Sequence, residues 1–200
     1  MIPRSLPTLL FLVLSPAAAM AQDGPTFDCA KAESSAEKLI CVDPDLATLD
    51  RRLADRFAAA VDVAEGLDTG AEETTKTLRA MQRGWISGRD ECWKEPDLRV
   101  CVEKRYLQRE AELVAEFMLE PPSETVDLTC GPRALTVNTF PTALPGLRVE
   151  EADSVYIGAQ LAADVPGTYY LRSAGGLVMK DGTIRVSDIY GEETECEVQG

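Results

Sequence analysis

The chain has 200 residues, of which 34 are acidic and 20 are basic, so its formal net charge is −14, and it contains no histidine. So acidic a composition argues against nucleic acid and anionic membranes as partners and suits a cationic partner. The absence of histidine excludes Ser–His and Cys–His nucleophilic pairs, imidazole general bases and histidine-ligated metals.

The N-terminal segment MIPRSLPTLLFLVLSPAAAMAQ has the three parts of a secretory signal. Arg4 lies in its short first part, an apolar run extends from Leu6 to Leu14, and small residues precede Gln22. The apolar run is too short to span a bilayer, and no cysteine follows the cleavage point to carry a lipid. We predict a signal peptide over residues 1–21 and a mature chain that is periplasmic or secreted, without membrane insertion.

Apolar residues recur at helical spacing from Cys29 to Met118, which predicts four helices. The Ala-rich segment AKAESSAEKLIC comes first, and Asp43 and Pro44 begin the second helix as N-cap and first-turn residue. GLDTGAEE and WKEPDLRV interrupt the pattern before and after the third helix. The inward positions expected on the last three helices are Leu46, Leu49, Leu53, Phe57, Val61, Ala64, Leu78, Met81, Trp85, Ile86, Leu98, Val102, Tyr106, Leu113 and Phe117.

Several polar and aromatic residues of the helical part are interpreted as architecture. Trp85 is expected to be a core aromatic residue, and Arg89 and Asp90 to hold neighbouring helices through charge-assisted hydrogen bonds. Asp50 and Arg51 are interpreted as surface residues or helix clamps and not as catalytic groups.

Six cysteines in an exported chain predict a disulfide framework without free thiols. If Cys29 and Cys41 flank a helix, they lie about 18 Å apart at 1.5 Å per residue. A disulfide needs Cα atoms within about 7 Å, so these two are not expected to pair. We favour Cys41–Cys92 with Cys29–Cys101, and Cys29–Cys92 with Cys41–Cys101 is the alternative.

Three segments of the helical part resemble the LprI-type domain of secreted bacterial proteins. They are FDCAKAESSAEKLICVDPDLATLDRRLADRF, QRGWISGRDECW and CVEKRYLQREAEL. The four cysteines, the QRxWxxxRDxC core and the YxxR segment of that family are all present. Some members of the family are described as lysozyme inhibitors, so the resemblance implies lysozyme, a cationic muramidase, as the partner.

The pattern changes after the segment LEPPSET, whose adjacent prolines end a helix and form a stiff spacer. Beyond it apolar residues alternate with period two in LTVNTF, SVYIGAQL, GTYYLR, GLVMK, TIRVS and TECEV. We therefore predict a two-domain α+β fold, a disulfide-linked four-helix domain followed by a small antiparallel β-barrel of about eight strands. The expected divisions are a helical domain at 22–119, a Pro-rich linker at 120–126 and a barrel at 127–200.

The β part resembles the MliC/PliC family of periplasmic inhibitors of c-type lysozyme. The resemblance rests on LTCGPRALTVNTF, GTYYLRSAGGLVMKDGTIRVSD and TECEV. That family folds as an eight-stranded antiparallel barrel with a cysteine near each end of the domain, which implies a bridge between Cys130 and Cys196. A bridge across so long a loop helps a small core to stay folded.

Two loops carry inhibition in that family, a Ser-Gly-x-x-Tyr segment and a Lys-Gly segment about fourteen residues downstream. PGTYY stands at the first position here and KDG at the second, so Pro166 replaces the Ser and Asp181 is inserted before the Gly. Ser173 is a nearby hydroxyl that could replace the missing one, although nothing in the pattern places it there. The resemblance implies these partner-binding residues: Lys180, Gly167, Tyr170, Tyr169, Asp181, Gly182 and Pro166.

The position of Lys180 also follows from the residues alone. Asp181-Gly182 between alternating apolar runs predicts a two-residue hairpin, which places Lys180 at the end of a strand beside an exposed turn. A lysozyme cleft holds two catalytic carboxylates. A lysine presented on a rigid hairpin can pair with them and occupy the position of the sugar.

We predict an exported protein without enzymatic activity or cofactor that blocks the cleft of a lysozyme, of c-type by the second resemblance. One alternative is a periplasmic protein-interaction module whose partner is not lysozyme, which the missing Ser favours. A carboxylate-dependent glycosidase is the other, but no pair of acidic residues is singled out by position.

Overall fold

The computed structural model describes residues 24–199, so the predicted signal peptide lies outside the described residues. The four predicted helices are confirmed as α1 Ser35–Val42, α2 Pro44–Glu65, α3 Ala71–Asp90 and α4 Leu98–Phe117. Short 3-10 turns at Cys29–Lys31 and Glu91–Lys94 precede α1 and follow α3. In the stretch from residue 24 to residue 199, no helix combines the length and the apolar character that crossing a membrane requires.

Side-chain caps define where three of these helices begin. Ser34 accepts a hydrogen bond from the Glu37 backbone N–H, and the Glu37 carboxylate accepts one from the Ser34 backbone N–H, forming a capping box at α1. Asp43 caps α2 in front of Pro44, as predicted, and Asp97 caps α4 through the Val100 N–H.

The helical core lies between the facing sides of the four helices. Its buried side chains include Ile40 from α1, Leu46 and Leu53 from α2, and Val102 and Leu113 from α4. The expectation for Ile86 was wrong, because this side chain is 40% exposed. One residue on an α-helix turns the side chain by about 100°, so Ile86 leaves the inner face that Trp85 occupies.

A chain of buried polar groups joins α2, α3 and α4. The Tyr106 hydroxyl donates to Asp50 Oδ1 at 2.8 Å and accepts from the Arg89 guanidinium at 2.9 Å. Arg89 also donates to Asp90 Oδ1 at 2.8 Å, and Asp50 Oδ2 accepts from the Thr26 backbone N–H at 2.7 Å. Burial is the largest cause that raises the pKa of Tyr106, so its hydroxyl stays a donor. Arg89 and Asp50 thus hold neighbouring helices through Tyr106, as predicted for Arg89 and as one of the two interpretations of Asp50, whereas Asp90 pairs with Arg89 of its own helix.

The disulfides of the helical domain are Cys29–Cys41 and Cys92–Cys101, so both pairings considered from the sequence were wrong. Cys29 lies in a 3-10 turn that ends at Lys31, and α1 begins only at Ser35. Because the chain reverses between these two elements, the Cα atoms of Cys29 and Cys41 are 5.8 Å apart. The assumption of one continuous helix between them was the error.

The second half of the chain is a closed antiparallel barrel in which each strand pairs with its neighbours in sequence. Eight strands form it: β1 Glu124–Cys130, β2 Arg133–Phe140, β3 Gly146–Glu151, β4 Ser154–Gln160, β5 Thr168–Leu171, β6 Gly175–Lys180, β7 Thr183–Ser187 and β8 Glu193–Val198. Pairing of β1 with β8 closes the barrel. The predicted fold class is therefore confirmed.

Alternate side chains of each strand fill the barrel. Leu135, Val137, Leu147, Val149 and Leu177 are among the buried residues that face the interior. The bridge between the first and last strands, expected from the family resemblance, is also confirmed, since Cys130 and Cys196 form a disulfide. All six cysteines are paired, and none is free.

Helix α4 belongs to both halves of the molecule, because its far side covers the outer surface of β2, β3 and β4. Val114 and Ala115 pack against Phe140 and Ile157, which point outward from the barrel. Gly146 allows the close approach, since a Cβ at this position would lie 2.6 Å from the Ala111 carbonyl oxygen. The outward-facing Phe140 and Ile157 are thus apolar and buried, unlike residues on the solvent-facing side of a free barrel.

The connection between the two halves is short and anchored. Leu119 packs against both the helical core and the contact between α4 and the barrel. Arg56 of α2 forms an ion pair with Glu120. The first strand already begins at Glu124, inside the segment interpreted from the sequence as a linker.

Candidate partner-binding site

Lys180 ends β6 at an exposed two-residue turn. Its backbone pairs with Thr183, and Asp181 and Gly182 between them have φ angles of 53° and 76°. Positive φ at both central residues defines the type I′ turn that matches the twist of a hairpin. Because Leu177 and Met179 face the barrel interior, alternation along the strand directs Lys180 to the outer surface.

Lys180 differs from the other four cations of the barrel. Arg133, Arg148, Arg172 and Arg185 each form an ion pair with a glutamate. Among residues 24–199, no carboxylate oxygen lies within 4.0 Å of the Lys180 ammonium. Its charge is therefore not neutralised by a partner within the described part of the chain.

The second candidate loop lies beside this hairpin. The Gly167 carbonyl oxygen accepts a hydrogen bond from the Met179 N–H at 2.7 Å, one residue before Lys180. Gly167 has a φ of 73°, and a Cβ there would lie 2.1 Å from the Met179 carbonyl oxygen. Only glycine fits this position. The structure thus brings the two segments that the resemblance singled out to one end of the barrel.

The two tyrosines of PGTYY point in opposite directions. Tyr169 is buried among the interior side chains, and burial raises the pKa of its hydroxyl. Tyr170 is 61% exposed on the outer surface. Since adjacent residues of a strand alternate between faces, Tyr170 is available to a partner in this arrangement and Tyr169 supports the loop from inside.

Pro166 is exposed next to Gly167, where the resembled family has a Ser. Ser173 does not replace that hydroxyl, because it lies in the turn between β5 and β6 at the opposite end of both strands. The backbone of Ser173 adopts a φ of 64°, which is typical of a turn. The sequence distance of seven residues between Pro166 and Ser173 concealed this separation.

A groove of about 570 Å³ lies between α4 and the barrel, beside Tyr170. Its lining is mixed in charge and includes Lys104, Arg105 and Gln108 of α4, Ala159 and Tyr170 of the barrel, and the carboxylates of Glu95, Asp97 and Glu112. Sequence reasoning missed the α4 residues because the groove brings together residues of α4 and β5 that are far apart in the chain. In the sequence, the adjacent Lys104 and Arg105 are a signal that this part of α4 faces solvent.

Comparison with known proteins identifies the helical domain. Residues 29–113 match the family model described as lysozyme inhibitor LprI, which confirms the LprI domain predicted from the sequence. Lipoprotein LprI from Mycobacterium bovis and from two strains of Mycobacterium tuberculosis are each 31% identical to this chain over 90 residues.

These matches cover only part of each protein. The aligned region is 45% of this chain and 41% of each relative, so the chain spans about two fifths of the length of the curated relatives it matches. The barrel lies beyond the family match, which ends at residue 113. No solved structure matches the chain.

Proposed function

We propose that this chain is an exported inhibitor of lysozyme that acts on c-type enzymes by occluding the active-site cleft. The helical domain matches a family described as lysozyme inhibitors, and the barrel has the strand number and disulfide of the MliC/PliC family that it resembles. The proposal includes periplasmic or secreted localisation and the division into a helical domain at 22–119 and a barrel at 127–200.

The observation that carries the proposal is the environment of Lys180. A cation without a carboxylate partner among residues 24–199 is presented at the tip of a type I′ hairpin, beside the loop held by Gly167. The catalytic acid of a c-type lysozyme sits in an apolar pocket near a second, ionised carboxylate. An ammonium group inserted between them pairs with the ionised carboxylate and excludes the sugar.

The rigid hairpin lowers the entropic cost of binding. An isolated lysine side chain on a flexible loop would lose both backbone and side-chain freedom on entering a cleft. Here the backbone is fixed by β6–β7 pairing before the partner arrives, so only the side chain is ordered on binding.

A turbidity assay with the purified mature protein and c-, g- and i-type lysozymes tests the proposal. Inhibition of the c-type enzyme is expected, with weaker or no effect on the other classes. No inhibition of any class would point to the alternative, a protein-interaction module with another partner. The exposed proline at the family's Ser position favours that alternative, and affinity capture from a cell-envelope extract would then identify the partner.

A further inference from the structure

A second groove lies on the other side of Tyr170 from the groove that α4 borders. Tyr170 pairs with Ala159 of β4 on one side and with Gly176 of β6 on the other, and Gly176 pairs in turn with Ser187 of β7. The second groove, here called the β5–β7 groove, has a volume of about 410 Å³. Among residues 24–199, its lining contains one carboxylate, that of Asp188, and no lysine or arginine.

The β5–β7 groove has small residues along its floor and large apolar residues at its two sides. Gly176 and Ser187 are paired, outward-facing floor positions, and Gly176 has no side chain to fill the space above it. Tyr170 borders one side and is 61% exposed, and Ile189, in the turn after β7, borders the other and is 64% exposed. An apolar partner side chain seated on Gly176 would therefore leave water together with Tyr170 and Ile189.

This groove lies on the same surface of the barrel as the Lys180 side chain. Lys180 and Gly176 both face outward, because Leu177 and Met179 between them face the interior. The two positions are four residues apart, which is about 13 Å along the strand at about 3.3 Å per residue. A standard interface covers about 800 Å² on each partner, a patch about 30 Å across. A protein that receives Lys180 therefore also reaches the groove.

Outward-facing glutamates border the groove on the β8 side. Ser187 pairs with Glu193, and Glu195 and Glu197 follow at alternate positions of β8, all three of them exposed. Arg185 is the one cation of β7 and β8, and it forms an ion pair with Glu193 at 3.2 Å. Within residues 24–199, no lysine or arginine nitrogen lies within 4.0 Å of the carboxylate of Glu195 or Glu197.

The other charged residues of β5 to β8 leave this acidic excess in place. From residue 168 to residue 198 the chain has six acidic and three basic residues. Besides Arg185, the basic ones are Arg172, which pairs with Glu112 of α4, and Lys180 at the hairpin. A second copy of this chain would bring the same acidic border to the groove and be repelled. A cationic protein is complementary to it.

We infer that the β5–β7 groove is a second contact with the lysozyme whose cleft Lys180 enters. An apolar side chain of the enzyme surface lies between Tyr170 and Ile189, and basic side chains of the enzyme face Glu195 and Glu197. The inference rests on the proposed function, which supplies the cationic partner, and adds to it a contact outside the active-site cleft.

The first test removes the apolar side of the groove. Titration of c-type lysozyme by calorimetry is expected to show an affinity loss of about four- to thirtyfold for Ile189→Ala, since each buried methylene group that is lost costs about fourfold. Ile86→Ala makes the same change at an exposed isoleucine of α3, far from the groove in the chain and on the helical domain. This control is expected to bind within about twofold of wild type.

The second test removes the acidic border. Glu195→Gln/Glu197→Gln is expected to lower the affinity by about three- to thirtyfold, as for two exposed ion pairs. Asp55→Asn/Asp62→Asn removes the same charge from two exposed positions of α2. This control is expected to stay within about twofold of wild type at physiological ionic strength, because salt screens charges that do not touch the partner.

The outcomes separate this inference from the proposed function. Specific losses in both test variants support the inference, and a loss in neither or in only one overturns it. If Lys180→Ala nevertheless weakens binding, the proposed function stands. If the wild-type protein binds no lysozyme, the proposed function fails and the inference with it. A wild-type dimer on gel filtration that Ile189→Ala converts to a monomer would assign the groove to a second copy and also overturn the inference.

Discussion

At the scale of single residues, Lys180 combines exposure, a fixed backbone and an uncompensated charge. Each of these properties is ordinary alone, since exposed lysines are common on protein surfaces. Their combination at the tip of a hairpin is what a cation needs in order to enter a narrow, carboxylate-lined cleft without a large ordering cost. The four arginines of the barrel lack the third property because each already contacts a glutamate.

Replacement of Lys180 by Ala is expected to abolish most of the inhibition. Loss of one member of a desolvated charge pair costs about 2–5 kcal/mol, which is roughly 30- to several-thousand-fold in affinity. The free energy of unfolding should change by less than about 0.5 kcal/mol, because the side chain is exposed. Inhibition assays and urea titration measure the two effects. Lys38→Ala is the matched control. Equal inhibition by both variants would show that the binding site does not include the Lys180 hairpin.

Pro166→Ser is expected to strengthen binding to c-type lysozyme. A serine hydroxyl can donate a hydrogen bond that proline cannot, and one such bond contributes about 0.5–1.5 kcal/mol, or about two- to tenfold in affinity. Pro166→Ala is the control, because it removes the ring without adding a hydroxyl. Equal affinities of the Ser and Ala variants would show that the hydroxyl is not what the site lacks.

We predict that the buried hydrogen-bond network around Tyr106 affects the stability of the protein and not its inhibition of lysozyme. Tyr106→Phe removes the hydroxyl that donates to Asp50 and accepts from Arg89, leaving both charged groups short of a partner in the core. The free energy of unfolding should fall by about 1–3 kcal/mol, with inhibition by the folded protein unchanged. Urea titration checks this, and Tyr190→Phe, at a side chain that is 86% exposed, should have no measurable effect on stability.

At the scale of elements, local sequence patterns predicted which helices and strands form. They did not predict where the chain reverses between elements or which cysteines pair. The Asp43-Pro44 pair and the Asp181-Gly182 turn were predictable because their chemistry acts within a few residues. The disulfide pairing was not, since it depends on where the chain reverses between Lys31 and Ser35, and a helix-periodic pattern continues through that point. The direction of Tyr170 relative to Tyr169 follows from strand alternation once the register is known.

The disulfides close loops of very different length, and this difference predicts that they contribute differently to the free energy of unfolding. Cys29 and Cys41 are separated by 12 residues, and Cys130 and Cys196 by 66. In the chain-entropy description the short loop contributes about 3 kcal/mol and the long one about 4 kcal/mol. Replacing both barrel cysteines by Ala should thus cost more in urea titration than replacing Cys29 and Cys41. The reverse order would mean that the loop length does not determine the contribution.

At the scale of the whole molecule, α4 links the two halves in a way that periodicity cannot reveal. Its sequence reads as a helix with one apolar side, yet Tyr106 and Leu113 face the helical core while Ala111 and Ala115 face the barrel. The small size of the alanines lets the helix backbone approach the strands closely, and Gly146 completes this contact from the barrel side. Contacts between distant segments of this kind depend on the assembled fold.

The contact between α4 and the barrel predicts that the two domains recognise each other when separated. Each has its own core and its own disulfides, so fragments 22–119 and 120–200 are both expected to unfold cooperatively. The isolated barrel would expose Phe140 and Ile157, about 1.5–3 kcal/mol of burial for each side chain. Mixed fragments should therefore co-elute on gel filtration, and the barrel should unfold at a higher temperature in the mixture than alone.

Gly146 gives this last prediction a steric test. A Cβ added there meets the Ala111 backbone oxygen at 2.6 Å, so Gly146→Ala must push α4 away from the strands and should weaken or abolish association of the fragments. Gly84→Ala is the matched control, because nothing lies within 4 Å of the added methyl group and the site is inside α3. That change should leave association intact and stabilise the helical fragment by up to about 1 kcal/mol. If the two wild-type fragments do not associate, the α4–barrel contact forms only because the chain connects the two domains. The groove beside Tyr170 would then depend on that covalent connection.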